Sequence, residues 1–268
     1  MNHAIFVSDL SNLRFYKEGL FDRLYYGNEF CEHLMPSPEQ LRAALEFASD
    51  KNISFTFVSP ILYERGLEKA SELIGILPDD AEVVVNDFGL LEYISGRRLR
   101  LVAGRLLVSA IKDPRIGRES SFQQYFQASN LQPAFMNMLR DKGFRRVEID
   151  NVRQGLDLSG AGDFSASLYY PFVSCSVARK CLFANMKSQS ESDFPNTGFA
   201  SACSGNCEGR AMSALVGGCR IAIMGNAQFY RNDSPPNCAE SSCIDRFTYM
   251  PVFPNSNNRG FCVKEHDK

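Results

Sequence analysis

The strongest chemical signal in this 268-residue chain is Cys203-Ser204-Gly205-Asn206-Cys207. Two thiols at this spacing can converge on one metal ion or cluster, and Gly205 lets the backbone turn and aim amides at sulfur. Cys181 precedes the pair by 22 residues and follows Arg179-Lys180, whose positive charge favours the thiolate. A [4Fe–4S] cluster usually takes four thiolates, so the fourth has to come from elsewhere. Cys31 stands just past a strand candidate, after Gly27-Asn28-Glu29-Phe30. There are nine cysteines, and eight of them lie after residue 170. The opening Met1-Asn2-His3-Ala4-Ile5-Phe6-Val7 reads as a strand and lacks the basic and apolar regions of an export signal. A cytoplasmic location is expected, with thiols kept reduced, so metal or cluster binding is expected over a disulfide framework. The plainer reading of a free cysteine is a small buried apolar residue, and Cys175 and Cys219 fit it in their strand-like contexts. Cys238, Cys243 and Cys262 fall in an irregular tail, as spare thiols or a second site. Zinc is the rival ligand, although paired C-x-x-C knuckles are missing.

Carboxylates and an arginine form the second set. Val83-Val84-Val85-Asn86-Asp87 puts polar residues at the end of a strand, where barrel enzymes keep catalytic groups. Asp87 is therefore a candidate acid or base, or else a cap for a short helix over 88–94. Glu32 and Arg105 also follow strand candidates and carry the same two readings. A carboxylate and a guanidinium at one barrel mouth can bind an anionic organic substrate, or tie two loops together. Glu148 and Asp150 alternate along a strand and so share a face. His3 and His266 lie near the ends of the chain, and His33 reads as solvent-facing.

The elements that must position these groups alternate. Strand candidates cover 4–7, 23–26, 54–58, 82–85, 99–103, 146–149, 165–172 and 220–224. Helical patterns cover the stretch after Ser37-Pro38-Glu39-Gln40, which has capping-box spacing, and also 64–77 and 132–142. Alternation of this kind implies parallel pairing through crossovers. The expected fold is α/β, a TIM-like (β/α) barrel that need not be regular or complete, with an open doubly wound sheet as the alternative. No Gly-x-Gly-x-x-Gly follows a strand and there is no P-loop, which argues against nucleotide binding. With 44% hydrophobic residues, 22% charged residues and a net charge of -2, nothing marks a strongly basic nucleic-acid surface. No run approaches the roughly 20 apolar residues of a membrane helix. Residues 1–230 read as the barrel-like domain, with a cysteine-bearing loop over 181–207. Residues 231–268 read as an irregular segment packed on the same domain.

A series of short motifs then resembles the collagenase-like peptidase family U32, in order along nearly the whole chain. They are Tyr25-Tyr26-Gly27-Asn28-Glu29-Phe30-Cys31-Glu32, Val85-Asn86-Asp87-Phe88-Gly89, Ala103-Gly104-Arg105-Leu106-Leu107, Lys112-Asp113-Pro114-Arg115-Ile116, Ser167-Leu168-Tyr169-Tyr170-Pro171-Phe172, Arg179-Lys180-Cys181, Gly225-Asn226-Ala227-Gln228-Phe229-Tyr230 and Ile244-Asp245-Arg246. The resemblance implies a TIM-like barrel. It is nearest in character to the UbiV/UbiU-type iron–sulfur proteins, partners in oxygen-independent ubiquinone hydroxylation. It implies a [4Fe–4S] cluster on Cys31, Cys181, Cys203 and Cys207. It also implies a role in oxygen-independent hydroxylation of a small molecule or RNA base, alone or with a U32-family partner subunit or as a homo-oligomer. The loop between Cys181 and Cys203 is longer than in those proteins, and Cys-Glu-His-Leu replaces their Cys-Ser-Lys-Arg. No protease signature is recognisable. A peptidase-like hydrolase with a structural cluster, or a non-catalytic cluster-bearing subunit, are the alternative expectations.

Overall fold

The computed structural model describes residues 1–117, 123–178, 210–234 and 243–253, with Cys181, Phe183, Cys203, Gly205 and Cys207 between them. In chain order the strands and helices are β1 (Asn2–Val7), β2 (Arg23–Gly27), α1 (Pro38–Asp50), β3 (Ser54–Val58), α2 (Glu64–Gly75), β4 (Ala81–Val85), α3 (Leu90–Tyr93) and β5 (Leu99–Ala103). There follow α4 (Gln123–Phe126), α5 (Pro133–Asp141), β6 (Phe144–Asp150), β7 (Ser165–Tyr170), β8 (Phe172–Val177), β9 (Met212–Val216), β10 (Cys219–Met224), β11 (Ala227–Arg231) and β12 (Ile244–Tyr249).

Eight strands close a barrel in the order β1-β12-β7-β6-β5-β4-β3-β2. Every neighbouring pair is parallel, and β12 seals the cylinder with Asn2 opposite Arg246 and Ile5 opposite Tyr249. This is the expected TIM-like (β/α) barrel. Helix α1 begins where the sequence places it: the Ser37 hydroxyl accepts from the Gln40 amide, and the Gln40 side chain accepts from the Ser37 amide. Leu41, Ala44 and Ala48 then face the barrel wall. Only short 3-10 turns, at Leu10–Phe15 and Ser159–Ala161, stand after β1 and β6.

The eighth barrel strand differs from expectation. Residues 220–224 form β10, which lies in a separate four-stranded antiparallel sheet of order β8-β11-β10-β9, inserted between β7 and β12. The barrel strand is β12, inside the stretch read as an irregular tail. The reason is physical. Arg246 and Thr248 of β12 point into a charged lumen, so the strand carries no apolar run to read, whereas β10 has one. The single run over 165–172 also splits at Pro171, which has no N–H to continue a ladder.

The antiparallel sheet covers the C-terminal end of the barrel. One apolar cluster joins lumen residues Phe6, Tyr25, Val84 and Tyr169 to Ala222, Met224, Phe229 and Phe253. The Phe30 and Phe229 rings meet edge-on at 5.0 Å, and those of Phe172 and Phe253 approach to 4.0 Å. Among the described residues no helix is long and apolar enough to cross a membrane.

Candidate functional site

Strand β2 ends at Gly27, whose φ of 140° places it against the Val58 carbonyl, where any Cβ would clash. The chain then turns on Asn28, whose Oδ1 accepts from the amides of Phe30 (2.9 Å) and Cys31 (2.8 Å). An Asx turn of this kind fixes the direction in which Cys31 leaves the barrel. The Cys31 thiol is pushed up to about 11, chiefly by burial. The amides of His33 and Leu34 favour its thiolate, while Cys203 and Cys181 oppose it.

The other three thiols lie in the same place. Cys207 is buried, and Cys31, Cys181 and Cys203 are half-buried. Cys207 is hydrogen-bonded with Cys181, and this contact raises its pKa most, followed by burial and the proximity of Cys181, Cys31 and Cys203. The Gly205 amide lies 3.5 Å from the Cys203 sulfur, with Gly205 at φ 71°. Four cysteines from three separate segments thus share one neighbourhood. Most of the 181–207 loop lies outside the described residues, as do Cys238, Cys262 and His266. Among the described residues no three His, Cys, Asp or Glu side chains converge on a single ion position.

Cys175 and Cys219 belong elsewhere. Cys175 donates to the Gln228 carbonyl at 3.2 Å, and Cys219 packs with Val152, Val173 and Tyr230. Both behave as structural residues. The main chain of Cys243 accepts from the Ala166 amide at the start of β12.

Beneath the thiols the barrel lumen is filled by charge. Arg105 is 0% exposed. Its Nε reaches the Glu29 oxygens at 2.9 and 3.1 Å, and its Nη2 reaches Glu29 Oε2 at 2.5 Å. Its Nη1 donates to Asp150 Oδ1 (2.7 Å) and the Phe172 carbonyl (3.3 Å), and Nη2 also approaches the Met250 sulfur at 3.4 Å. All five guanidinium N–H donors are therefore engaged. The plane of Arg105 rests on Tyr169 (4.3 Å) and faces Phe30 (5.4 Å). Lys112 pairs with the other Asp150 oxygen at 2.5 Å. Burial works against the charge of Asp150, but Lys112 and Arg105 outweigh it and hold its pKa below the ordinary value. Burial holds the Glu29 carboxyl above its ordinary value although Arg105 opposes the rise, and both Glu29 oxygens accept N–H donors from Arg105.

A second ionic layer lies deeper. Arg246 grips Glu82 at 2.6 and 3.2 Å and donates to the Tyr25 hydroxyl at 2.5 Å. Arg23 and Thr56 also reach Glu82 Oε1, at 3.4 and 2.7 Å. Glu148 sits between the layers, fully buried. Among the described residues its hydrogen bond is from the Tyr169 hydroxyl (2.9 Å), and its Oε1 has none. Burial, then the nearby charge of Glu29, pushes its carboxyl up to about 8. The shared face of Glu148 and Asp150 is thus the lumen.

Asp87 and Glu32 converge elsewhere, at the entry to α2. Asp87 accepts from the Leu62 amide (3.2 Å) and from Gly89 (2.9 Å), and Glu32 Oε2 accepts from the Tyr63 amide at 2.7 Å. Gly66 leaves room for the Glu32 carboxylate, which a Cβ there would strike. Both carboxylates bind backbone amides at or before a helix start, a stabilising arrangement. Arg105 is brought to neither. Glu29 was not singled out from sequence as a site residue, and its signal was position: it stands two residues past the end of β2, between Asn28 and Cys31.

No protein-family model and no curated protein sequence matches the chain. Among solved structures it is similar to the U32 peptidase Mk0906, at 9% identity and a TM-score of 0.50, covering 94% of this chain and 93% of that one. The two share a fold.

Proposed function

We propose that the chain is an iron–sulfur protein of the U32 type, with Cys31, Cys181, Cys203 and Cys207 as ligands of one [4Fe–4S] cluster. The supporting observation is the meeting of these four thiols, from β2's exit and from two parts of the 181–207 loop, at one end of the barrel. Four thiolates at close quarters repel, and a cationic iron core would offset that repulsion. When bound, such a cluster supplies one-electron chemistry. The chain's own residues hold the sulfurs: Asn28 orients Cys31, the amides of His33, Leu34 and Gly205 face sulfur, and the Phe30–Phe229 contact excludes water from the lumen side. The motif resemblance extends the reading to oxygen-independent hydroxylation of a small molecule or RNA base, alone or with a partner subunit or second copy. In this reading Arg105 fixes the lumen beneath the thiols, and Asp87 and Glu32 tie the loop that leads into α2.

The test is anaerobic purification with iron and sulfide analysis. The expected result is brown protein with about four iron and four sulfide per chain. Colourless protein without iron after anaerobic reconstitution would overturn the cluster. The name of the similar structure motivates one further arm: hydrolysis of casein or gelatin by iron-free protein would favour a peptidase-like hydrolase instead.

A further inference from the structure

The inserted sheet makes one polar contact with the cysteine site that the barrel could not make for itself. Asn226 lies in the turn between β10 and β11. Its side-chain Nδ2 donates to the Phe30 carbonyl at 2.5 Å and to the Ala178 carbonyl at 3.0 Å. Its own carbonyl accepts from the Ala178 amide at 2.9 Å. Phe30 immediately precedes Cys31, and Ala178 stands three residues before Cys181. One side chain therefore bridges the two strand exits that carry the first two thiols, across 196 residues of sequence from Phe30. An uncharged amide NH2 can serve two carbonyls in this way, whereas a hydroxyl has one donor and a carboxylate none. Phe229, three residues on, packs edge-on against Phe30 from the same sheet. This fixes the ring beside the hydrogen bond.

We infer that Asn226 is the positioning residue of the thiol site, holding the Cys31 segment and the Cys181 segment in register across the barrel-to-sheet junction. The inference deepens the cluster reading, and its geometric content stands apart from iron. The antiparallel sheet, in place of an outer helix after β7, then has a purpose: its β10–β11 turn returns to the mouth and ties the late cysteines to the early one. Asn232 provides an internal comparison. It also lies beside the sheet and donates to a barrel carbonyl, that of Asn151, at 2.7 Å, but among the described residues it touches neither cysteine segment.

The experiment uses the full chain, iron-free and reduced, treated with a short bis-maleimide and mapped by peptide mass spectrometry. Wild type is expected to yield bridges from Cys31 to Cys181 or Cys203, alongside Cys181–Cys207. Asn226→Asp and the milder Asn226→Ser are expected to lower the Cys31 bridges at least fivefold while keeping Cys181–Cys207. Asn232→Asp is expected to keep both, even if it lowers the melting temperature as much. Unchanged Cys31 bridging in both Asn226 variants overturns the inference, and so does equal loss in Asn232→Asp, which would mark a general loosening of the sheet. In anaerobically loaded protein, the Asn226 variants should also release iron to a chelator faster than Asn232→Asp. If wild type binds no iron but the bridging pattern responds as expected, the positioning role stands and the cluster reading falls.

Discussion

The guanidinium of Arg105 and the carboxylate of Glu29 meet in two-pronged contact inside the barrel, with neither side chain exposed. Glu29 lies two residues before Cys31, so the pair anchors the segment that carries the first thiol to the start of the loop after β5. Breaking a buried pair by removing one partner leaves an unpaired charge and costs about 3–5 kcal/mol. Arg105→Ala should destabilise by that order in urea unfolding. Arg105→Lys should be nearly as harmful, because one ammonium cannot satisfy Glu29, Asp150 and the Phe172 carbonyl together. Wild-type stability in Arg105→Lys would show that the fork geometry is dispensable.

Glu148 should make stability depend on pH in an uncommon direction. Its folded pKa, about 8, lies above the ordinary value of 4.5. The folded state therefore binds the proton more tightly, and this group's contribution falls as pH rises from 4.5 to about 8, then levels off. The facing groups are Glu29, Tyr169, Arg105 and Glu82, with Tyr25 also close enough to feel its charge. Glu148→Gln keeps an acceptor for Tyr169 and cannot ionise. Thermal melts at about pH 4 and pH 9 should match wild type at the lower value and exceed it by several degrees at the higher. A constant difference across that range would refute the buried-acid assignment.

Asp87 and Glu32 are expected to act on the loop that leads into α2. Asp87→Ala should cost on the order of 1 kcal/mol, the usual cost of removing a carboxylate from helix-start amides. Bound iron should be unchanged. If turnover on an identified substrate falls a hundredfold while the melting temperature stays put, Asp87 has a chemical role and the tying role is secondary.

Each of Cys31→Ala, Cys181→Ala, Cys203→Ala and Cys207→Ala should remove most of the bound iron after anaerobic reconstitution. Cys175→Ala and Cys219→Ala should retain it, since those sulfurs face the sheet. Full iron in Cys31→Ala combined with loss in Cys243→Ala would move the fourth ligand to the tail.

Periodicity and capping residues determined most of the scaffold. Seven of the barrel strands and helices α1, α2 and α5 follow from apolar runs, Ser37 and two prolines, because these elements are specified by neighbours a few residues apart. The Cys203–Cys207 spacing is local in the same sense. Tertiary structure alone decided the rest. Strand β12 is invisible as an apolar run because its inward Arg246 is there to meet the Glu82 carboxylate from the opposite side of the barrel and the Tyr25 hydroxyl from β2. Glu29 and Arg105 are 76 residues apart, and nothing in either segment names the other. Asn226 is an ordinary turn residue until barrel closure brings Phe30 to it. Pairings of this kind depend on where the closed sheet places side chains that no short stretch of sequence relates.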